Sequence, residues 1–340
     1  MVGILNGAAL AQQISLGHHT RLFDTMATLM PATSEAIADA AGLSERYVRE
    51  WLGSMVTGRI VEYDPTTRTY RLPPEHAGAL TRAAGPGNMA AFAQFFPQFG
   101  KVEDELIEAF RNGGGVPYSS FPKFQAMMAE LSGMTFDATL LDVTLRLVPG
   151  LTERLDIGID VADIACGSGH AINLMARAFP RSRFTGYDFS DEGLAVARAE
   201  AKEWGLTNAR FVAQDVATLD VPDAYDLITI FDAIHDQAQP RRVLKNMATA
   251  LRSGGTLLAV DVAASSNLEE NLDHPLAPAF YAISTAHCMT VSLALGGEGL
   301  GNMWGEQQAR ALLTEAGFIV QDVKQVPGDI INNYYLCTKV

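Results

Sequence analysis

Short apolar runs alternate with segments of helical periodicity from about residue 158 to the end of the chain, and this alternation constrains the fold most strongly. The first run, Val161 to Ala165, passes through Cys166-Gly167-Ser168-Gly169 into a helical segment that begins at His170. The pattern predicts an α/β fold with a mostly parallel sheet. Two glycines in the first turn let the backbone approach a ligand at the carboxyl edge of that sheet.

The glycine-rich turn alone does not identify the ligand. The dinucleotide-binding fingerprint would place a third glycine at position 172, where this chain has Ile172. A nicotinamide or flavin cofactor is therefore disfavoured.

Polar residues follow three further predicted strands, and they narrow the choice of ligand. Asp188 ends the second strand, nineteen residues after Gly169, where a carboxylate can accept hydrogen bonds from both ribose hydroxyls. Asp215 follows the third strand and can accept from an adenine amino group, while the Val216 amide donates to a ring nitrogen. The fourth strand leads into Asp232-Ala-Ile-His235. Asp188 or Asp215 alone is better explained as a helix cap or turn residue, but four strand ends in register favour a nucleoside site.

The N-terminal part has a different pattern, typical of a winged helix. Helices are predicted from Thr33-Ser34 to Ala40 and from Ser44 to about Thr57, with a turn at Gly42. Two short strands flanking Asp64-Pro-Thr-Thr form the predicted wing. Five arginines face seven acidic residues between positions 30 and 80, so the segment lacks the basic surface of a DNA-binding domain. The apolar residues near the N-terminus favour a dimerisation module instead.

Composition excludes several other classes of protein. The 340 residues are 48% hydrophobic and 19% charged with a net charge of −14, which suits a globular protein and is unfavourable for a nucleic-acid partner. The longest apolar stretch, about Leu276 to Leu295, contains polar residues and Pro278, which favours a buried helix over a membrane span. The three cysteines show neither disulfide nor zinc spacing, so we expect a cytoplasmic protein.

The region from about 158 to 340 resembles a class I S-adenosylmethionine (SAM) dependent methyltransferase. The first motif of that family is an acid followed by alternate small residues, as in Asp163-x-Ala165-x-Gly167-x-Gly169, with Ala165 where glycine is commoner. The resemblance implies a Rossmann-like sheet of seven strands, one of them antiparallel and formed in a final hairpin around Pro327-Gly328-Asp329. It implies SAM as cofactor and S-adenosylhomocysteine (SAH) as product. The implied cofactor-binding residues are Asp163, Ala165, Cys166, Gly167, Gly169, Asp188, Phe189, Asp215, Val216 and Phe231.

The whole chain resembles a narrower group, the small-molecule O-methyltransferases with an N-terminal winged-helix dimerisation domain. His235-Asp236 is similar to their His-Asp-Trp segment, with Gln237 in place of the tryptophan. The resemblance implies a homodimer and makes His235 the candidate general base. The alternative for His235 is a hydrogen-bonding residue that shapes the loop after strand four. Domains are predicted at 1–85 (winged helix), 86–157 (helical linker contributing to the substrate pocket) and 158–340 (SAM-binding domain).

Aromatic and methionine side chains in the linker and before the last hairpin predict an apolar acceptor pocket, although most such residues serve the core. Candidate pocket residues are Phe96, Tyr118, Phe121, Phe124, Met127, Met128, His287 and Trp304. For His287, a satisfied core histidine is the competing interpretation. No cluster of Asp, Glu, His or Cys has metal spacing, so we predict a metal-free reaction.

The sequence supports one function best and leaves two others open. We expect O-methylation of a small, apolar or aromatic metabolite. The first alternative is a winged-helix DNA-binding regulator that senses SAM or a metabolite. The second is a SAM-binding protein that transfers no methyl group.

Overall fold

The computed structural model describes residues 1–326 and 329–340 and divides them into two compact units. The first unit comprises Met1–Lys101 and Ala126–Ala138, and the second comprises Val102–Gln125 and Thr139–Val340. Pro327 and Gly328 of the predicted hairpin turn lie outside the described residues. The predicted domains 1–85, 86–157 and 158–340 stay a prediction, because both units draw on the linker.

The elements follow the predicted alternation closely. The described strands are β1 Glu62–Asp64, β2 Thr69–Arg71, β3 Asp160–Ile164, β4 Arg183–Asp188, β5 Ala209–Ala213, β6 Tyr225–Phe231, β7 Leu251–Val262, β8 Phe318–Lys324 and β9 Asn332–Lys339. The described α-helices are α1 Val2–His19, α2 Leu22–Thr28, α3 Ser34–Ala41, α4 Glu45–Thr57, α5 Pro74–Leu80, α6 Met89–Phe92, α7 Phe95–Phe99, α8 Glu103–Asn112, α9 Phe124–Thr139, α10 Leu151–Ile157, α11 His170–Ala178, α12 Asp191–Glu203, α13 Pro240–Ala250, α14 Ala277–Ile283, α15 Met289–Ala294 and α16 Gly305–Ala316.

The first unit contains the predicted winged helix. Thr33 caps α3 by accepting a hydrogen bond from the Ala36 amide, whereas Ser44, the residue before α4, makes no capping bond with its side chain. Strands β1 and β2 pair antiparallel as the wing. The buried face of α4, which includes Trp51 and Leu52, packs with residues of α2 and α3 in one apolar core. The amphipathic pattern of these helices therefore builds the unit around α4.

The arginines of α4 are already paired within their own helix. Arg46 lies 2.5 Å from Glu50, and Arg49 lies 3.2 Å from Glu45. Both pairs have i,i+4 spacing, and the helix that would enter a DNA groove presents balanced charge. This observation disfavours the DNA-binding alternative.

The second unit is built on a seven-stranded sheet in the order β5-β4-β3-β6-β7-β9-β8. Neighbours from β5 to β7 pair in parallel, and β9 runs antiparallel to both β7 and β8. The predicted fold, a mostly parallel Rossmann-like sheet with one antiparallel strand, is confirmed. The central strands β3 and β6 are buried along most of their length, because helices cover parallel sheets of this kind.

The apolar stretch from about 276 to 295 forms two short helices joined by a turn of π-helix. Helix α14 leads into the π-helical segment Ser284–Cys288, and α15 follows directly. Across the described residues, no helix combines the length and apolar character that a membrane crossing requires. The expectation of a buried helical segment is confirmed for this stretch.

Candidate functional site

The turn after β3 has a backbone that few residues other than glycine adopt. Ala165, Gly167 and Gly169 all have positive φ angles, of 55°, 54° and 68°. A Cβ atom at Gly169 would lie 2.5 Å from the Cβ of Ala197 in α12, so a larger residue would displace that helix. Ala165, which stands where the resembling family has glycine, has a side chain in the same left-handed region and therefore carries backbone strain.

Asp188 connects the end of β4 to this turn. Its Oδ2 atom accepts a hydrogen bond from the Gly167 amide at 2.8 Å, and its Oδ1 atom accepts one from the Ser190 amide at 2.8 Å. Burial raises the pKa of Asp188, and the backbone donors partly offset that rise. A carboxylate has about four acceptor positions, so capacity for ribose hydroxyls remains. The neighbouring Phe189 ring is 61% exposed and available for stacking.

Asp215 and Asp163 occupy different environments at the same sheet. Asp215 is exposed and caps the short helical turn Val216–Thr218 through the Ala217 amide, as the turn-residue interpretation requires. Asp163 is 2% exposed and accepts a hydrogen bond from the Thr229 hydroxyl at 2.7 Å. Burial raises the pKa of Asp163 to about 7. The adenine-binding role of Asp215 stays a prediction.

The end of β6 contributes an acid to which the sequence assigned no role. Asp232 has a φ of 49°, and its Oδ1 atom is buried without a hydrogen-bond partner among the described residues. Burial and the nearby Asp261 together raise the pKa of Asp232 to about 7. A strained residue with an unpaired buried oxygen is typical of a ligand site. In the sequence, the position of Asp232 directly after the fourth predicted strand indicates that it lies at this edge of the sheet.

His235 is held between two carboxylates. Its Nδ1 atom lies 2.6 Å from Oδ1 of Asp261, and its Nε2 atom lies 3.3 Å from Oδ1 of Asp236. Burial disfavours the charged ring, but Asp261 and Asp236 outweigh burial and raise the pKa of His235 well above its usual range. The imidazole is therefore oriented through Nδ1, with Nε2 facing the side of Asp236.

Asp261 was not identified from the sequence, although a carboxylate within an apolar strand is a recognisable signal. It is fully buried in β7, and its Oδ1 atom also accepts hydrogen bonds from the Trp304 indole N–H at 3.1 Å and the Val262 amide at 2.9 Å. Trp304, predicted to line the pocket, instead packs in the core of the sheet and orients Asp261. Two donors, Trp304 and the Val262 amide, thus fix the acid that orients His235.

Four of the predicted pocket residues form one aromatic cluster in the second unit. The His287 ring stacks on Phe124 with 3.5 Å between ring centroids, and its centroid lies 4.8 Å from that of Phe121 and 5.5 Å from that of Tyr118. Tyr118 also contacts Phe189 at 5.7 Å. The aromatic cluster therefore extends to Phe189, the residue after Asp188. Phe96, Met127 and Met128 belong to the first unit, and their part in acceptor binding stays a prediction.

His235, Asp236 and Cys288 could offer three ligand atoms within 4.8 Å of one another. The sequence did not indicate this group because its members come from separate segments. Burial raises the pKa of the Cys288 thiol to about 12, so without a bound cation the thiol stays protonated. Nε2 of His235 lies 3.3 Å from Oδ1 of Asp236 within this group. The metal-free reaction stays a prediction.

Comparisons with known proteins follow the two-part organisation of the chain. Residues 8–82 match the model for an Rv2258c-like winged HTH domain, and residues 155–317 match that for a methyltransferase domain. The demethylmenaquinone methyltransferase of Listeria welshimeri is 32% identical over 110 residues, which are 32% of this chain and 47% of that protein. The chain therefore aligns with about half the length of this relative.

Solved structures share the whole fold at low sequence identity. A protein of Nostoc punctiforme assigned as an O-methyltransferase superposes with a TM-score of 0.75 at 19% identity, covering 99% of this chain and 98% of that one. The O-methyltransferase NcsB1 from neocarzinostatin biosynthesis, in complex with SAM and 2-hydroxy-5-methyl naphthoic acid, superposes with a TM-score of 0.67 at 17% identity, covering 98% and 96%. The chain therefore combines a winged helix-turn-helix domain with a methyltransferase domain of Rossmann-like fold.

Proposed function

We propose that this protein is a SAM-dependent methyltransferase that methylates an oxygen of a small apolar or aromatic metabolite. The observation that carries the proposal is the hydrogen bond from the Gly167 amide to Asp188. This bond joins the glycine turn to the acid of the next strand, so that backbone and carboxylate converge at one edge of the sheet, where α/β folds bind ligands.

The residues of this edge fit a cationic nucleoside. SAM carries a sulfonium and an ammonium group, and the edge offers carboxyl groups at Asp163, Asp188 and Asp232. The unpaired oxygen of Asp232 would gain a partner from a positively charged ligand group. Ala165, Cys166, Gly167 and Gly169 would hold the amino acid part of SAM, Asp188 the ribose, and Phe189, Asp215 and Val216 the adenine. Phe231 at the end of β6 would complete the cofactor site.

The residues also suit the chemistry of methyl transfer. When bound, SAM supplies a methyl group on a positively charged sulfur, which becomes the neutral thioether of SAH once an acceptor oxygen has taken the methyl. His235 in its neutral form accepts the hydroxyl proton at Nε2, while Asp261 holds Nδ1 and stabilises the imidazolium that results. The buried surroundings exclude water, and positioning supplies most of the remaining rate acceleration.

Formation of SAH tests the proposal without knowledge of the acceptor. Purified protein is incubated with SAM and a panel of phenols, alcohols and carboxylic acids, and mass spectrometry measures SAH and a methyl gain on the acceptor. We expect SAH to form with at least one hydroxyl compound. Turnover that His235→Ala leaves unchanged would remove His235 as the base, and a SAM complex without turnover of any compound would favour the noncatalytic alternative.

We also propose that the protein is a homodimer through its N-terminal part. Helix α1 leaves Val2, Ile4 and Leu5 between 64% and 73% exposed in the single chain. Contiguous apolar side chains of this kind usually mark an interaction surface. The three free cysteines, two of them buried, are compatible with the proposed cytoplasmic location.

A further inference from the structure

The feature that the proposed function leaves unexplained is the hydrogen bonding of His287. This side chain is fully buried, and within residues 1–326 and 329–340 neither Nδ1 nor Nε2 has a hydrogen-bond partner. Burying a polar group without a partner costs about 1–3 kcal/mol, and folded proteins rarely tolerate it twice in one side chain. The competing interpretation from the sequence, a satisfied core histidine, is therefore wrong.

The backbone around His287 is organised to hold it in place. It lies in the π-helical segment Ser284–Cys288, a rare local geometry that often occurs at functional sites. The Val116 amide donates to the hydroxyl of Thr290 at 2.8 Å, which fixes the chain before Tyr118 to α15. The Ser292 hydroxyl donates to the Gln237 carbonyl at 2.9 Å, which fixes the loop after His235 to the same helix. These two hydrogen bonds tie the segments before Tyr118 and after His235 to the helix that follows His287.

The surroundings of His287 determine its charge and that of any partner. Burial lowers the pKa of His287 to about 4, with Asp236 opposing and His235 reinforcing that effect, so the ring is neutral at pH 7. Burial and the nearby acids Asp236 and Asp188 raise the pKa of Tyr118, which shows that the neighbourhood is unfavourable for an anion. A neutral imidazole among aromatic rings suits an uncharged polar group on a flat molecule.

We propose that His287 recognises the methyl acceptor, donating or accepting a hydrogen bond with an uncharged hydroxyl of an aromatic compound, and that it thereby selects phenols over carboxylic acids. This inference rests on the proposed function and deepens it. His287 acts as a recognition residue distinct from His235, because an imidazole of such low basicity binds a hydroxyl proton without removing it.

The test uses full-length protein labelled with ¹⁵N-histidine and saturated with SAH, with 2-naphthol and 2-naphthoate as probes of equal ring size. The variant His287→Phe assigns the His287 signals among the seven histidines. We expect 2-naphthol to shift the ring nitrogens of His287 and to bind at least about tenfold more tightly than 2-naphthoate, as one lost hydrogen bond to a buried polar group predicts.

The variants separate recognition from a structural role. His287→Phe keeps a ring for the stack on Phe124 and removes both unpaired nitrogens, so we expect unchanged or raised thermal stability, unchanged SAH affinity and at least about tenfold weaker binding of 2-naphthol. His287→Asn restores a hydrogen-bonding group and should recover part of that binding. His274→Phe, which removes a histidine outside the aromatic cluster, should change neither ligand's affinity.

The outcomes distinguish the two proposals. If SAH binds normally, three results overturn the recognition role and leave the cofactor assignment intact. These are unshifted His287 signals, no binding of 2-naphthol, and 2-naphthoate bound as tightly as 2-naphthol. A thermal stability that falls in His287→Phe together with unchanged 2-naphthol affinity also overturns it. Absence of SAH binding overturns the proposed function and this inference together.

Discussion

Nδ1 of His235 lies 2.6 Å from Oδ1 of Asp261, which is completely buried in β7. Trp304 and the Val262 amide donate to the same carboxylate oxygen. The candidate base is therefore positioned by an acid that is itself rigidly held. This arrangement sets the orientation of the ring and its pKa together, and the first two predictions follow from it.

Replacement of Asp261 by asparagine should impair turnover without affecting the cofactor. The amide keeps the shape of the side chain but loses the charge that stabilises the imidazolium, so we expect kcat to fall roughly a hundredfold at pH 7. Steady-state kinetics with a hydroxyl acceptor measures this fall, and calorimetry should show SAH affinity within about twofold of wild type. Trp304→Phe removes one donor to Asp261 but leaves its charge, so we expect it to lower kcat by a smaller factor than Asp261→Asn. Equal kcat in wild type and Asp261→Asn would show that Asp261 is only structural.

Turnover should increase with pH. A base must be unprotonated to act, and Asp261 and Asp236 raise the pKa of His235 well above its usual range after opposing the effect of burial. The kcat profile should therefore rise through a midpoint above about 6.5, the ordinary value for histidine. Asp261→Asn should move the midpoint to lower pH. A flat profile between pH 6 and 9, or a midpoint that does not respond to this variant, contradicts the role of His235 as base.

The glycine turn should tolerate no side chain at position 169. Gly169→Ala forces a positive φ on alanine and brings its Cβ to 2.5 Å from that of Ala197. We expect a loss of about 2–5 kcal/mol in the free energy of unfolding, from backbone strain and overpacking, with loss of SAH binding. Gly205→Ala is the matched control, because Gly205 also has a positive φ, of 65°, but open space around its Cβ position. Denaturant unfolding measures both variants, and the control should lose only about 1–2 kcal/mol in the free energy of unfolding, from backbone strain.

The exposed apolar face of α1 should mediate dimerisation. Ile4→Glu combined with Leu5→Glu places charge among the exposed apolar residues, and we expect light scattering to change from a dimer to a monomer mass. Leu272→Glu alters another exposed apolar side chain, 78% accessible in the second unit, and should leave the dimer intact. Wild-type protein that is monomeric at micromolar concentration contradicts the proposal.

Much of the sheet was predictable because its signals are local. The second and fourth predicted strands end at Asp188 and directly before Asp232, as β4 and β6 do. The roles of Asp232 and Asp261 were not predictable in the same way. Both depend on which side chains meet across strands after packing, and the sequence does not specify those contacts.

His287 shows the same limit of sequence-based prediction, here for a hydrogen bond that was expected and is missing from the described part of the chain. The sequence placed it on an apolar helical stretch, where a histidine usually has a partner. In the fold, the rings of Tyr118, Phe121 and Phe124 surround it, and none of the residues that the structure describes hydrogen-bonds to its nitrogens. The absence of a hydrogen bond is a property of the fold and cannot be read from the spacing of residues.

Isothermal titration calorimetry with SAH determines whether the turn at Gly167 and the carboxylate of Asp188 form a SAM site. We predict micromolar binding to wild-type protein, at least about tenfold weaker binding to Asp188→Ala, and wild-type affinity in Asp220→Ala, which removes an exposed acid elsewhere in the same unit. Absence of SAH binding to the wild type, or equal affinity in Asp188→Ala, would contradict the account.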